Sequence, residues 1–243
     1  DLRDLGAGEQ DSRVSEVSAQ EKQAPFDLEH GPVIRAVLLA LSAQSNLLLI
    51  TLPALCADSW TLHNIVREAA DAYTTGAGRR DVPVEHVQYA QFSEWQNELS
   101  EGVEFEEGKQ YWKEQQAARE ERLSLPFDAD CSNGFLPNHH CFALDRDLIA
   151  EVAEISRHFE LPLHAFFLAC WHVLIRRLNG CSAVSIGYEH SGRTYDELSA
   201  ALGLFAKTLP APIDFEENFR FYEVWRQAAQ RVKQISEWQD YFS

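Results

Sequence analysis

Hydrophobic and polar positions change period several times along the chain, and each change marks an element. Residues 1–24 are polar and charged, with Gly6 and Gly8 and few large apolar side chains. They read as a surface segment holding a helical turn or two. Pro25-Phe26-Asp27-Leu28 leads into a turn at Glu29-His30-Gly31-Pro32. Residues 33–41 and 47–52 are aliphatic runs separated by Ser42-Ala43-Gln44-Ser45-Asn46. Two such runs around a polar turn predict a β-hairpin, and the unbroken apolarity of the second predicts a strand buried on both faces. Leu62, Ile65, Val66, Ala69, Ala70 and Tyr73 recur at spacings of three and four. That pattern predicts an amphipathic helix over residues 60–73, capped by Asp58 or Ser59 and stopped by Gly76 and Gly78.

After a loop over residues 79–87, residues 89–99 and 105–118 predict two helices divided near Gly102, with Tyr89, Phe92, Trp95, Tyr111 and Trp112 as core anchors. Residues 119–137 turn from Arg/Glu-rich to Leu123-Ser124-Leu125-Pro126 and then to Asp128, Asn133, Gly134 and Pro137. Such a stretch suits a linker between lobes. Residues 139–144 predict a strand. Residues 146–159 predict an amphipathic helix, and residues 163–178, more uniformly apolar, a buried one closed by Asn179-Gly180. Residues 183–188 predict a short buried strand and residues 189–195 a loop with Gly192. A segment over 202–209 ends at Pro210, Ile213 is strand, and residues 219–238 form a last amphipathic helix. The alternation predicts a mixed α/β fold, divided as an N-terminal lobe over 1–122, a linker over 123–137 and a C-terminal lobe over 138–243.

Charge narrows the partners. A net charge of −17 argues against nucleic acid and anionic membrane, which reward Lys and Arg. No apolar run is long enough to span a bilayer, and the start lacks the layout of a signal peptide. The five cysteines, Cys56, Cys131, Cys141, Cys170 and Cys181, include no C-x-x-C pair, so reduced thiols in a cytoplasmic protein are expected. The chain starts at Asp1 and contains no Met, as a piece of a longer polypeptide would.

The stretch Leu52-Pro53-Ala54-Leu55-Cys56-Ala57-Asp58-Ser59-Trp60-Thr61-Leu62 joins the predicted strand to the predicted helix. Loops held between rigid elements are common places for chemistry. Together with Pro25-Phe26-Asp27-Leu28…Gly31-Pro32…Arg35, Tyr89-Ala90…Phe92…Trp95-Gln96, Tyr111-Trp112, Ile186-Gly187…Gly192-Arg193…Glu197-Leu198 and Gly203…Phe205…Thr208-Leu209-Pro210, it resembles condensation domains of nonribosomal peptide synthetases, nearly end to end.

The resemblance implies a two-lobed fold like chloramphenicol acetyltransferase, with mixed sheets and flanking helices, here incomplete at both ends. It implies peptidyl or aminoacyl carrier domains and neighbouring synthetase domains as partners. Their phosphopantetheine arms would be substrates, with no cofactor or metal bound by the domain itself. The family's signature is two histidines, three variable residues, then Asp-Gly. Aligned through Thr51-Leu52 and Trp60-Thr61-Leu62, those positions are Pro53, Ala54, Asp58 and Ser59. Alanine can neither take up a proton nor accept a hydrogen bond from an attacking amine, so help typically worth about 10²- to 10⁴-fold is missing. Lys207 stands where the family usually has Asn. The resemblance makes Trp60, Tyr188 and Lys207 tunnel candidates and Asp58 structural. It places the arginine partner of that aspartate before Asp1, with Arg35 the nearest local substitute, and leaves Arg193 to tie loops together.

Other constellations weigh less. His139-His140 lacks the Asp-Gly at the right spacing, and its spacing to Cys131 and Cys141 fits no standard metal site. Cys56 has no adjacent base, and buried cysteine is most often an apolar filler. His172 and His164 sit on the apolar helix, as core or edge residues. His63, one turn into the helix, is the weak candidate for a replacement base. The expected function is a condensation-type domain that has lost its histidine and serves as a structural or docking module for carrier domains or a tailoring enzyme. The alternative is an active condensation or acyltransferase domain that works by positioning two tethered thioesters.

Overall fold

The polar opening segment folds as a full helix, α1 (Ala7–Gln23), longer than the one or two turns expected. Ala, Glu, Gln and Arg carry high helix propensity, and Glu9 accepts the Gly6 N–H at 3.3 Å to start it. Arg35 closes its far end. The guanidinium donates to the carbonyls of Glu21, Ala24 and Pro25, pairs with the Glu21 carboxylate at 2.9 Å, and lies 3.8 Å from the Phe26 ring centroid. The motif from Pro25 to Arg35 is thus a clamp on the end of α1.

The computed structural model describes residues 1–76, 87–117, 125 and 140–242. They fall into two compact units, Asp1–Phe92 with Arg193–Phe205, and Ser93–Gly192 with Ala206–Ser243. The expected linker at 123–137 lies, apart from Leu125, outside the described residues, as do most of the 79–87 loop, Cys131 and His139.

In the first unit, β1 (Arg35–Ala40) and β2 (Asn46–Thr51) form an antiparallel hairpin with Leu38 opposite Leu48. The strand expected to be buried on both faces is covered on one. Leu39 is 6% exposed, against 65% for Leu38 and 47% for Leu48. α2 (Ser59–Thr75) follows, and it too departs from the pattern. Its apolar stripe leaves Leu62, Val66 and Tyr73 exposed, while the polar Thr61 and Asn64 are buried. The hydrogen bonds described below explain that inversion.

In the second unit, α3 (Tyr89–Glu101), which begins in the first, leads to α4 (Val103–Ala117). Trp112 is a core anchor as expected, 4% exposed, with its indole N–H on the Trp238 carbonyl at 2.9 Å. His140, Cys141, Phe142 and Leu144 carry a strand pattern but form no strand, and they are exposed. Among the described residues no neighbouring strand takes up their backbone groups. α5 (Arg146–Phe159) starts on the Asp145 side-chain cap. α6 (Leu163–Asn179) buries one stripe, Ala165, Leu168, Ala169 and His172. Trp171, Leu174 and Leu178 stay exposed, so the expectation of a wholly buried helix is corrected. His172 is a core residue whose ring nitrogens lie 2.8 Å from the Leu168 and Ala211 carbonyls.

β3 (Ala183–His190) and β4 (Lys207–Asp214) form the second hairpin. β4 runs through Pro210 rather than ending there. Pro210 and Pro212 face Gly187 and Ser185, pairs that need no proline N–H if the hydrogen-bonded positions are the alternate ones. The Phe215 N–H to Ser182 carbonyl bond of 2.8 Å continues that alternate set. Both prolines therefore lie with their ring nitrogens on the outer edge, where a missing donor costs no ladder bond. α7 (Phe221–Glu237) closes the core with Val224, Trp225, Ala228, Val232 and Ile235.

Candidate functional site

The loop between β2 and α2 begins with a turn, Cys56 N–H on the Pro53 carbonyl at 2.9 Å. It ends at Asp58, which caps α2 by accepting the Thr61 N–H at 2.7 Å. The same carboxylate meets Arg193 in a two-pronged ion pair, 2.6 Å and 3.1 Å, and accepts the Phe205 N–H at 3.0 Å. Both side chains are 3% exposed. A buried carboxylate is tolerable only when its lone pairs are matched in this way. Asp58's partner is therefore Arg193, and Arg35 is spent on α1.

Arg193 also donates to Thr61 Oγ1 at 2.9 Å and to the Ala201 carbonyl, and its guanidinium lies 4.4 Å from the Phe205 ring centroid. Thr61 Oγ1 donates to the Gly203 carbonyl at 2.6 Å and accepts the Gly203 N–H at 3.0 Å. Asn64 Nδ2 and Trp60 Nε1 both donate to the Ser199 carbonyl, at 2.8 and 2.9 Å. These bonds make the polar face of α2 its buried face. The segment Arg193–Phe205 is strapped to the loop, although it lies well over a hundred residues away in sequence. A Cβ on Gly203 would sit 2.2 Å from the Tyr89 ring, so only glycine lets the strap pass.

Ala54 lies in the wall of a cavity of about 420 Å³, shared with Lys22, Leu49, Leu52, Ala57 and Leu62. That volume is within the range of small-molecule pockets. Among the described residues that line it there is no histidine, and its two carboxylates are already paired: Asp58 with Arg193, and Glu21 with Arg35. His63 is exposed on α2 on another face than Thr61 and Asn64, and Cys56 is half-buried. Trp60 is half exposed, its N–H committed to Ser199.

Tyr188 and Lys207 belong to the second unit, at the end of the β3–β4 hairpin where the connection 191–206 joins the strands. Burial pushes the Tyr188 hydroxyl above its usual range. Lys207 reaches the Gln239 carbonyl at 3.2 Å and Asp240 at 3.3 Å. Sequence reasoning missed Thr61, Asn64, Ser199 and His190. Thr61 and Asn64 gave one signal, polar residues at helical spacing directly after a cap. Among the described residues, no group of three or more His, Cys, Asp or Glu is disposed to hold a metal ion. No single described helix is long and apolar enough to cross a membrane.

The chain belongs to the condensation-domain family, whose sequence model matches residues 1–242. It is 29% identical over 246 residues to chondramide synthase cmdD of Chondromyces crocatus, covering 98% of this chain and 6% of that one. Its fold is that of SgcC5 from Streptomyces globisporus, with a TM-score of 0.79 at 24% identity over 98% of this chain and 54% of that one. It is also that of the X-domain from teicoplanin biosynthesis solved in complex with OxyB, with a TM-score of 0.77 at 22% identity over 94% and 52%. The chain thus spans about half of those solved chains and a few per cent of the curated relative.

Proposed function

We propose that this chain is part of a condensation-type domain that lacks the usual catalytic histidine and serves as a docking module for carrier domains or a tailoring enzyme. One observation carries the reading. The position aligned with that histidine is Ala54, and the motif's carboxylate, Asp58, is fully engaged by Arg193, Thr61 and Phe205. A carboxylate held by an arginine and two backbone N–H groups is a poor proton acceptor. Asp58 and Arg193 are then structural, and Trp60 braces the strap. The fold shared with an X-domain solved with OxyB supports a docking role for a catalytically reduced relative.

The rival is a domain that still joins carrier-tethered groups by positioning. It is favoured by the intact loop, since cap, strap and cavity all remain around Ala54. An unprotonated amine attacks a thioester with little help from a base, and orientation alone supplies large factors.

The test loads donor and acceptor carrier domains, adds the complete domain, and measures condensed product by intact-protein mass spectrometry. We expect no product above a domain-free control, with binding of at least one carrier domain or a tailoring enzyme. Product well above that control overturns the docking reading in favour of the rival.

A further inference from the structure

The cavity beside Ala54 carries a charge that nothing in its wall balances. Three charged residues among the described ones line it: Glu21, Lys22 and Asp58. Glu21 is paired with Arg35 and Asp58 with Arg193, so each carboxylate is cancelled by its own arginine. Lys22 stands in the last turn of α1, and its ammonium has no partner among the described residues. The lining is thus left with one positive charge, in a chain whose net charge is −17. Ser18, Thr51 and Ser59 line the same cavity, and their hydroxyls make no hydrogen bond among the described residues. Most of the remaining wall is aliphatic, including Leu49, Leu52 and Leu62.

These features select a class of ligand. An unbalanced cation in a partly enclosed site attracts an anion. One ammonium matches one negative charge. A phosphate dianion asks for several charged donors, and its second charge would sit in the same cavity as the carboxylates of Glu21 and Asp58. The three hydroxyls can donate to a carboxylate that Lys22 holds. The aliphatic wall rewards an apolar body, and a cavity of about 420 Å³ has room for one larger than that of acetate.

We propose that this cavity binds a free monocarboxylic acid with an apolar body, its carboxylate on the Lys22 ammonium and its body against Leu52, Ala54 and Leu62. The ligand carries no tether and no thioester. The site therefore goes beyond the docking reading and stands or falls separately from it.

The test titrates the complete domain with 3-cyclohexylpropionate. Three further probes divide its features. The primary amide keeps the body and loses the charge, acetate keeps the charge and loses the body, and inorganic phosphate replaces both. Binding is followed by calorimetry and by the ¹³C-methyl signals of Ala54 and Leu62. We expect the acid to bind about three- to tenfold tighter than its amide, the scale of one partly exposed ion pair. Acetate and phosphate should bind more weakly than the acid. Lys22→Met should abolish the preference for the acid and leave the affinity for the amide, whereas Lys22→Arg should keep the preference. Ala54→Phe fills the cavity and should weaken both cyclohexyl probes by at least about tenfold. If that variant does not fold, the Lys22 variants, changed at an exposed side chain, carry the test. The proposal is overturned by absence of binding, by equal affinity for acid and amide, or by a preference that survives Lys22→Met. It is equally overturned if acetate or phosphate binds as tightly as the acid, or if the Ala54 and Leu62 methyl signals do not move. The 243-residue chain alone is titrated in parallel. Binding to that chain without binding to the complete domain also overturns the site, since the rest of the domain would then close the cavity.

Discussion

The loop around Asp58 and the connection end of the β3–β4 hairpin are both polar, partly enclosed and built from residues the family resemblance singles out. They differ in how their hydrogen-bonding capacity is used. Asp58 has an arginine and two backbone N–H groups on its two oxygens, and Thr61 Oγ1 carries three bonds. Tyr188 and Lys207 keep donors in reserve. The first arrangement is what stability demands of a buried charge, since an unmatched one is expensive. The second costs little because water can still reach it. Polar residues in a cleft thus do not by themselves mark chemistry. What matters is whether their partners are already inside the protein.

This contrast makes predictions that run from large to small. Arg193→Met leaves Asp58 buried without its cation and should destabilise the fold by about 3–5 kcal/mol, read as a fall in the denaturant midpoint. Adding Asp58→Asn should recover part of that loss. A double variant as unstable as the sum of the singles would show that the pair does not act as one unit. Gly203→Ala should cost about 1–3 kcal/mol, because a Cβ there meets the Tyr89 ring. Tyr89→Ala in the same background should relieve the clash. Thr61→Val strips three hydrogen bonds and leaves the Gly203 backbone groups unpaired, for a loss of about 1–3 kcal/mol.

At the hairpin end the same kind of change should cost less. Lys207→Met should cost less than Arg193→Met, since the Lys207 and Asp240 side chains are 18% and 16% exposed against 3% for Asp58 and Arg193. A loss as large as that of Arg193→Met would erase the distinction between the two regions. The smallest effect concerns pH. Burial lowers the His190 pKa in the fold, so the unfolded chain binds the proton more readily. The contribution of neutral His190 is complete above about pH 6.5 and is lost as pH falls through the lower, folded value. Protonation also removes the Nδ1 lone pair that accepts the Gly192 N–H. Wild type should therefore lose more stability than His190→Gln between pH 7 and pH 5, and parallel curves would contradict that assignment.

Much of this is legible in the residues alone. Asp58 as the cap of α2, the 146–159 helix, the αL glycine closing α6 and the β1–β2 hairpin follow from short-range rules. Asp capping, i/i+4 apolar spacing and alternating runs operate within a few residues. The family could be read from motif order, and the loss of the histidine from two letters, Pro53 and Ala54. The departures have one cause. Leu48 and Tyr73 on the first unit, Leu174 on α6, and Phe142 carry patterns that say buried or paired, but a pattern states what a side chain needs and not whether a neighbour supplies it. Thr61 and Asn64 read as the polar face of α2, yet they are its buried face because the strap brings carbonyls to meet them.

Residue identity and local backbone preference suffice for most of the elements, the caps of α2 and α6, the family and the absence of a base at position 54. Three further facts had to wait for the folded chain: Arg193 rather than Arg35 neutralises Asp58, Gly203 must be glycine for Tyr89's sake, and Tyr188 and Lys207 share a face with donors unspent. Those are contacts between residues far apart in the chain, and no local preference encodes the distance between them.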